Sequence, residues 1–532
     1  MKELVPLLVG IPLGAAFLIT ILAHVRGISR LTGLIATLAV AANVAVSIAL
    51  WVAAYNDPGQ SVSVWAGNWD GLGVPIGIEM VCDGLARLMV ITINIIAFVV
   101  IIFAASYMLR FTKVWLFYSL FLLMTGALNG VVLAGDLFNM FVFIEVATIA
   151  SYGLVGFGCE AEELEAAFKY LVLGTIGSCF ILLGVTILYS LTGHLNMAMV
   201  ASLLPKVGSQ GPAVLLAAAA LLGGLSLKAA MVPFHAWLPD AHPSAPAPIS
   251  AMLSGVLIKA CGVYCLARLM FNVFGTSGEY AMILIVLGAA SMVIGVFLAV
   301  GQWDFKRLLA YHSISQMGYV VLAIGVAGEV ISRAEPDQAI AALCLFGGLF
   351  HMFNHAAFKS LLFLSSGSIE QQTGTRRLKE MGGLARRMPV TSFCCRIGAL
   401  SIAGVPPFNG FFSKLIIIVA LVLAGHPFLA ALAVLVALMT LLSFIKVQRY
   451  ALEGEPVGKA VAAREAPALM GLAMLLLAVV CIVAGLAMVP LREYLFGPAG
   501  EVLLKGSGAL KAKLSTGVSW QEPLMWFVGA AP

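Results

Sequence analysis

Charge is what this 532-residue chain has least of: Lys and Arg number 30, Asp and Glu 25, and together they make up 10% of a sequence that is 61% hydrophobic. Ordinary soluble domains carry roughly 25% charged residues, so a set of water-facing domains of this length is excluded, and the same hydrophobicity excludes disorder. Nine cysteines (Cys82, Cys159, Cys179, Cys261, Cys265, Cys344, Cys394, Cys395 and Cys481) are scattered through apolar stretches with no disulfide-framework, zinc or iron–sulfur spacing. The chain also lacks a glycine-rich dinucleotide loop in strand context and a P-loop, so neither a cofactor nor a metal is expected. A net charge of +5, spread thinly, excludes nucleic acid as a partner.

What the sequence does have is long apolar runs. A membrane-spanning helix needs about 20 predominantly apolar residues, and fourteen such stretches are read near 3–24, 31–54, 82–107, 114–134, 137–157, 166–190, 212–234, 247–270, 280–301, 307–328, 339–365, 391–424, 427–446 and 467–489. They are apolar all round rather than alternating, which selects helices over a β-barrel. The expected fold is all-α, a polytopic integral membrane protein of about 14 transmembrane helices. Met1-Lys2-Glu3 precedes the first span and no small-residue cleavage site follows it, so that span is expected to be retained.

Sorting loop charges gives an orientation. Arg26, Arg30, Arg110, Lys113, Lys306, Arg307, Arg376, Arg377, Lys379, Arg386, Arg387, Lys446, Arg449, Lys459 and Arg464 fall on one side. Lys2, Lys206, Arg268 and Arg333 fall on the other, joined by Arg492, Lys505, Lys511 and Lys513 of a tail read as a surface segment. The positive-inside rule then places both termini outside, in the cell inner (cytoplasmic) membrane.

Seven basic residues remain within spans. Arg87 and Arg396 lie near span ends and are expected to snorkel, and Lys169 opens a helix behind an acidic stretch. Lys228, Lys259, Lys359 and Lys414 have no such excuse, and Glu145 is the one acid deep in a predicted helix. An ionisable group near the bilayer centre costs at least about 2.5–3.5 kcal/mol, so its default reading is functional. One Glu can neutralise at most one of four lysines; the others, buried without full counter-charge, can exchange protons. LFHMFNHAAFKSLLFL further places His351, His355 and Lys359 at i, i+4 and i+8, one helix face over about 12 Å, suited to a proton relay.

Two spans look interrupted. Pro233, Pro239, Pro243, Pro246 and Pro248 break one, and Pro406, Pro407 and Gly410 the other, each beside a buried lysine, Lys228 and Lys414. Discontinuous helices at corresponding places in two halves mark transport sites in folds with inverted repeats. The chain divides accordingly into a three-helix segment (1–113), two five-helix repeats (114–270 and 271–450), and a last helix with an extracytoplasmic tail (451–532). Five helices per unit invert consecutive repeats, and each break falls in a unit's fourth helix.

The stretch GLSLKAAMVPFHAWLPDAHPSAPAPISAMLSGVLIKACGVYCLAR, ending at Arg268, resembles the signature of the antiporter-like subunits of respiratory complex I, shared with Mrp-type cation/proton antiporters and membrane-bound energy-converting hydrogenases. Ordered blocks that begin at Lys169, Asp304 and His351, and one that ends PPFNGFFSK at Lys414, extend the resemblance over roughly 80 to 450. It implies fourteen core helices with broken helices 7 and 12. It also implies roles: Glu145 as acidic partner of the central Lys228, Lys259 as the bridging group, His351, His355 and Lys359 as a relay, and Lys414 as the terminal lysine. The longest complex I member is not expected, since only about 43 residues follow the last span, nor the member with Glu in place of Lys414.

The function expected is that of a proton-translocating subunit of a redox-driven pump, a complex I-like quinone oxidoreductase or a membrane-bound hydrogenase, with no redox centre of its own. The alternative is a D-type component of a multisubunit Na+/H+ (Mrp-type) antiporter. Expected partners are other membrane subunits, homologous antiporter-like or small ones, together with lipid and H+. Na+ stays open as a second ion, with Glu145 and Asp136 the carboxylates available to it.

Overall fold

In hydrocarbon every backbone N–H and C=O must be satisfied within the protein, and long apolar helices do this locally. A computed structural model describes residues 1–25, 31–55, 59–67, 77–209 and 211–506. Apart from single turns, the elements are α1 (Leu7–Leu22), α2 (Thr32–Ala53), β1 (Val62–Ala66), β2 (Ile78–Cys82), α3 (Gly84–Tyr107), α4 (Val114–Leu133), α5 (Leu137–Val155), α6 (Ala161–Thr192), α7 (Met197–Val207), α8 (Pro212–Lys228), α9 (Leu238–Ser244), α10 (Ala247–Val273), α11 (Gly278–Val300), α12 (Phe305–Ile331), α13 (Gln338–Thr373), α14 (Pro389–Ala403), α15 (Asn409–Leu423), α16 (Pro427–Val447), α17 (Ala468–Leu486) and α18 (Gly497–Gly506). Several begin on acidic caps. Asp136, Asp304 and Asp337 accept the N–H of Asn139, Arg307 and Ile340, supplying partners to otherwise orphaned first-turn donors.

Among the described residues twelve helices are long and apolar enough to cross a membrane. The two expected spans outside that set are the interrupted ones: 212–234 ends as a helix at Lys228, and 391–424 is two helices, α14 and α15. The breaks do not fall at every proline named above. Pro239 and Pro243 lie inside the short α9, and Pro248 is in the first turn of α10, where a missing N–H costs nothing. Pro233 and the pair Pro406-Pro407 lie in non-helical turns, as expected.

Contacts between connections sort into two ends. At one end Arg376 pairs with Glu162 and Asp304 at 3.3 Å and donates to the Pro243 carbonyl at 2.6 Å; Lys446 donates to the carbonyls of Val300 and Gln302, each at 2.6 Å. At the other end Gly135 donates to Glu79, Arg268 to Asp83, Arg333 to Ala424, and Asn272 to Val502 of α18. These are the same two sets into which the loop charges divide along the sequence. Arg26, Arg30, Lys511 and Lys513 lie outside the described residues.

A hairpin of β1 and β2, with Val62 opposite Cys82 and Val64 opposite Met80, closes the second end, where no strand was expected. Three other expectations change. Lys306 and Arg268, counted as loop charges, are buried and ion-paired, and Arg87 is buried rather than snorkelling. The tail also contributes to the core, since Phe496, Ala499 and Leu503 are fully covered and α18 packs on α3.

Candidate functional site

Helix α8 stops at Lys228, and the carbonyls of Leu225, Ser226 and Leu227 accept the backbone N–H groups of Ala229, Met231 and Ala230. Trp237 Nε1 donates to Leu227 O at 3.0 Å while its ring stacks on Tyr170 at 4.1 Å, and Ser291 Oγ accepts the Val232 N–H at 2.9 Å. The break is thereby fixed, and Lys228 sits at its edge with a side chain only 2% exposed. Its Nζ lies 3.3 Å from Glu145 Oε1 of α5 and 3.4 Å from Thr148 Oγ1 one turn on. Ser178 of α6 donates to the same carboxylate. Glu145 and Lys228 are thus an ion pair, but Glu145 is not sealed in. It is 25% exposed, on a face of α5 that also exposes Phe138, Val142 and Ile149.

Among the described residues the other three lysines have no carboxylate partner. Helix α10 departs from α-geometry at Leu253–Leu257, Lys259–Tyr264 and Leu269–Val273, where the hydrogen bonds widen to i→i+5. Such turns leave carbonyls misaligned and recur at functional sites. Fully buried Lys259 donates to one, Ser254 O, at 2.5 Å. Lys359 donates to Leu309 O of α12. Lys414 Nζ reaches Ile402 O at 2.7 Å, in the last turn of α14, which ends on left-handed Gly404 (φ +81°). Each lysine therefore occupies a helix carbonyl that irregular backbone or side-chain reach has made available.

The expected stripe on α13 is present and fully buried: His351, His355 and Lys359 all face the interior. His351 Nδ1 is 2.9 Å from Ser413 Oγ of α15, next to Lys414, and His351 and Lys414 flank the Tyr319 ring at 5.7 and 5.3 Å. His355 has electrostatic neighbours in Lys259 and Lys359. The structure thus joins Lys259, His355, Lys359, His351 and Lys414 into one buried group. It does not join Lys228 to Lys259 directly. Between them lies the widened turn Lys259–Tyr264, whose Cys261 neighbours Lys228 electrostatically.

Sequence reasoning missed two members. His312 on α12 and His242 on α9 are fully buried, with no hydrogen bond to either ring nitrogen among the described residues. His312 has Lys359 and Lys414 as electrostatic neighbours, so it bridges the middle of the group to its end. Each is a lone His without an i+4 partner, but both lie inside the blocks that carry the resemblance. Among the described residues no group of three or more His, Cys, Asp or Glu is arranged to hold a metal.

A second buried pair has a different character. Arg268 donates to both oxygens of Asp83 at 2.7 and 2.9 Å and also to Tyr264. Burial alone would raise the Asp83 carboxyl, but Arg268 and the Ala86 N–H hold it below the usual carboxylate range. This is a static tie between α10 and the cap of α3.

The same architecture recurs in known proteins. Residues 134–440 match the family described as NADH:quinone oxidoreductase/Mrp antiporter, TM. The N subunit of NADH-quinone oxidoreductase from Desulforudis audaxviator is 37% identical over 440 residues, 82% of this chain and 83% of that one. The D subunit of the Na(+)/H(+) antiporter from Alkalihalophilus pseudofirmus is 35% identical over 503 residues, 94% and 96% of the two chains. A chain from the solved Mrp complex of Dietzia sp. superposes with a TM-score of 0.83 at 28% identity, covering 94% of this chain and 98% of that one. A multi-pass membrane protein by its helices, this chain belongs to the NADH:quinone oxidoreductase/Mrp antiporter family of membrane subunits.

Proposed function

We propose that the chain is the proton-translocating subunit of a multisubunit membrane complex, and that protons pass along Glu145, Lys228, Lys259, the His351/His355/Lys359 stripe and Lys414. The observation that carries this reading is that Lys259, Lys359 and Lys414 are buried with backbone carbonyls as hydrogen-bond acceptors and, among the described residues, no carboxylate. A carbonyl accepts a hydrogen bond from an ammonium or from a neutral amine, so each lysine can lose its proton without losing its partner. Glu145 supplies the switch. Paired, it supports the charged form of Lys228; when the pair opens, that support is gone and the lysine passes its proton toward Lys259.

The units 114–270 and 271–450 are the two inverted repeats, with both termini outside the inner membrane. Other membrane subunits are the partners, and the exposed apolar face around Glu145 is where one of them would move the carboxylate. Na+ finds no spare carboxylate in this path, because Asp136 caps α5 and Glu145 holds Lys228. In the leading reading electron transfer in a quinone oxidoreductase or hydrogenase drives that motion. The antiporter reading has one observation in its favour, the end-to-end match with the Alkalihalophilus antiporter chain. Flavin and iron–sulfur centres in the purified native assembly would select the first, and their absence the second.

In inverted vesicles carrying the intact complex, Lys228→Ala and Glu145→Ala should each abolish most proton pumping with the assembly unchanged. Full pumping by both variants would sink the proposal.

A further inference from the structure

Helices α11 and α16 pack on one another and both reach the basic end, where Lys446 of α16 donates to the carbonyls of Val300 and Gln302 at the end of α11. Just beyond, the indole of Trp303 is a meeting point. Lys379 Nζ lies 4.2 Å from its ring centre and Lys446 Nζ 4.9 Å, and Tyr450 stands edge-on to it at 5.1 Å. The Trp303 carbonyl also accepts the N–H of Leu378, which keeps the turn carrying Lys379 against the ring. Arg449 adds a third cation beside Tyr450, on the widened turn Gln448–Leu452.

The chain does not neutralise these charges. Among the described residues Lys379, Lys446 and Arg449 form no ion pair, not even Arg449 with Glu453 four residues on. Two neighbouring acids are engaged elsewhere: Asp304 pairs with Arg376 at 3.3 Å, and Glu380 with Arg377 at 3.5 Å and with the Thr375 hydroxyl at 2.6 Å. The indole attracts each ammonium but carries no net charge, and neither do the carbonyls under Lys446. Like charges gathered at one ring repel, more strongly near the low-dielectric edge of a bilayer, and an anion among them relieves that repulsion. The surroundings say which anion. In their last turns α11 exposes Phe297 and Leu298, and α16 exposes Leu442 and Ile445, so apolar surface runs from the cluster into the membrane. Trp and Tyr beside basic residues at helix ends mark headgroup level, and basic sites between spanning helices take anionic headgroups. A free phosphate or an acidic peptide would use the cations and leave the apolar faces without a role.

We infer that Lys379, Lys446 and Arg449, gathered around Trp303, bind the phosphate of an anionic phospholipid whose acyl chains lie along the outer faces of α11 and α16. One headgroup then fastens three separate pieces of chain: the connection between α11 and α12, the turn Leu378–Glu380, and the end of α16. The site is independent of proton transfer and stands whether or not the translocating reading does.

The test uses the intact complex in phosphatidylcholine vesicles doped with a trace of phosphatidylglycerol that carries a diazirine on an acyl chain. After photolysis, peptide mapping should find adducts on the segments holding Phe297 and Leu298 and Leu442 and Ile445, suppressed by excess unlabelled phosphatidylglycerol. A phosphatidylcholine probe with the same diazirine should label these segments about tenfold less. The double variant Lys379→Gln, Arg449→Gln should bring the phosphatidylglycerol signal down toward that level, and Lys379→Arg, Arg449→Lys should keep it. Equal labelling by the two probes overturns the inference, as does undiminished labelling of the Gln variant. So does no labelling by either probe, which would mean that another subunit covers the face. Suppression by inorganic phosphate as strong as by phosphatidylglycerol would make this a free-anion site and overturn the lipid assignment. The comparison of probes needs no substitution, so it decides even where the double variant does not assemble.

Discussion

At the scale of single residues, the buried charges divide by what they touch. Asp83 and Arg268 neutralise each other with two short contacts, whereas Lys259, Lys359 and Lys414 face carbonyls. Removing one member of a buried pair strands the other, at a cost of about 3–5 kcal/mol; removing a buried charge that has no counter-charge strands nothing. Arg268→Met should therefore lower the thermal midpoint of the purified complex while Lys359→Met leaves it unchanged or raises it. Proton flux should show the opposite dependence, lost in Lys359→Met. Both follow from thermal unfolding in detergent and flux in vesicles. The sequence located every one of these lysines but could not separate Lys306 and Arg268 from ordinary loop charges. Hydropathy registers a polar residue at a span end, and only tertiary packing decides whether that residue turns to water or back onto Glu370 or Asp83.

At the scale of elements, helices were legible because an all-apolar run of 20 residues in lipid has one stable backbone form. The breaks were legible as regions, since prolines cluster there. Their boundaries were not, because helix α8 already ends at Lys228, with Ala230 left-handed (φ 54°), ahead of the first proline at Pro233. The β1–β2 hairpin escaped notice because its strands are five residues each and sit between spans, where no periodicity is long enough to read. The widened turns of α10 escaped for a similar reason, since hydropathy is the same for either hydrogen-bond spacing. One consequence concerns Gly262, in the turn that follows Lys259. A Cβ there would lie 2.5 Å from Ala229 Cα, backbone that cannot give way. Gly262→Ala should destabilise by about 1–3 kcal/mol, as overpacking does, and reduce flux although no titratable group changes. A variant with wild-type thermal midpoint and wild-type flux would show that the contact between break and turn is not needed.

At the scale of the whole molecule, the two ends carry different charge, from which the positive-inside rule predicts a direction in the membrane. Lys379 is exposed at the basic end and Glu335 at the other. In a background without the exposed Cys159 and Cys179, a membrane-impermeant thiol reagent should reach Glu335→Cys in sealed right-side-out vesicles and Lys379→Cys only in inverted ones; the reverse pattern would invert the topology. The predicted alternation of loops rests on lysine and arginine totals large enough to absorb the two, Lys306 and Arg268, that packing buries. What covers each helix face was not, since lipid and a neighbouring apolar helix select the same residues.

The exposed edge of Glu145 has one more consequence. In a copy inserted alone, that edge meets acyl chains, where a buried charge is poorly tolerated, so a subunit that covers it should also lengthen the life of the protein in the membrane.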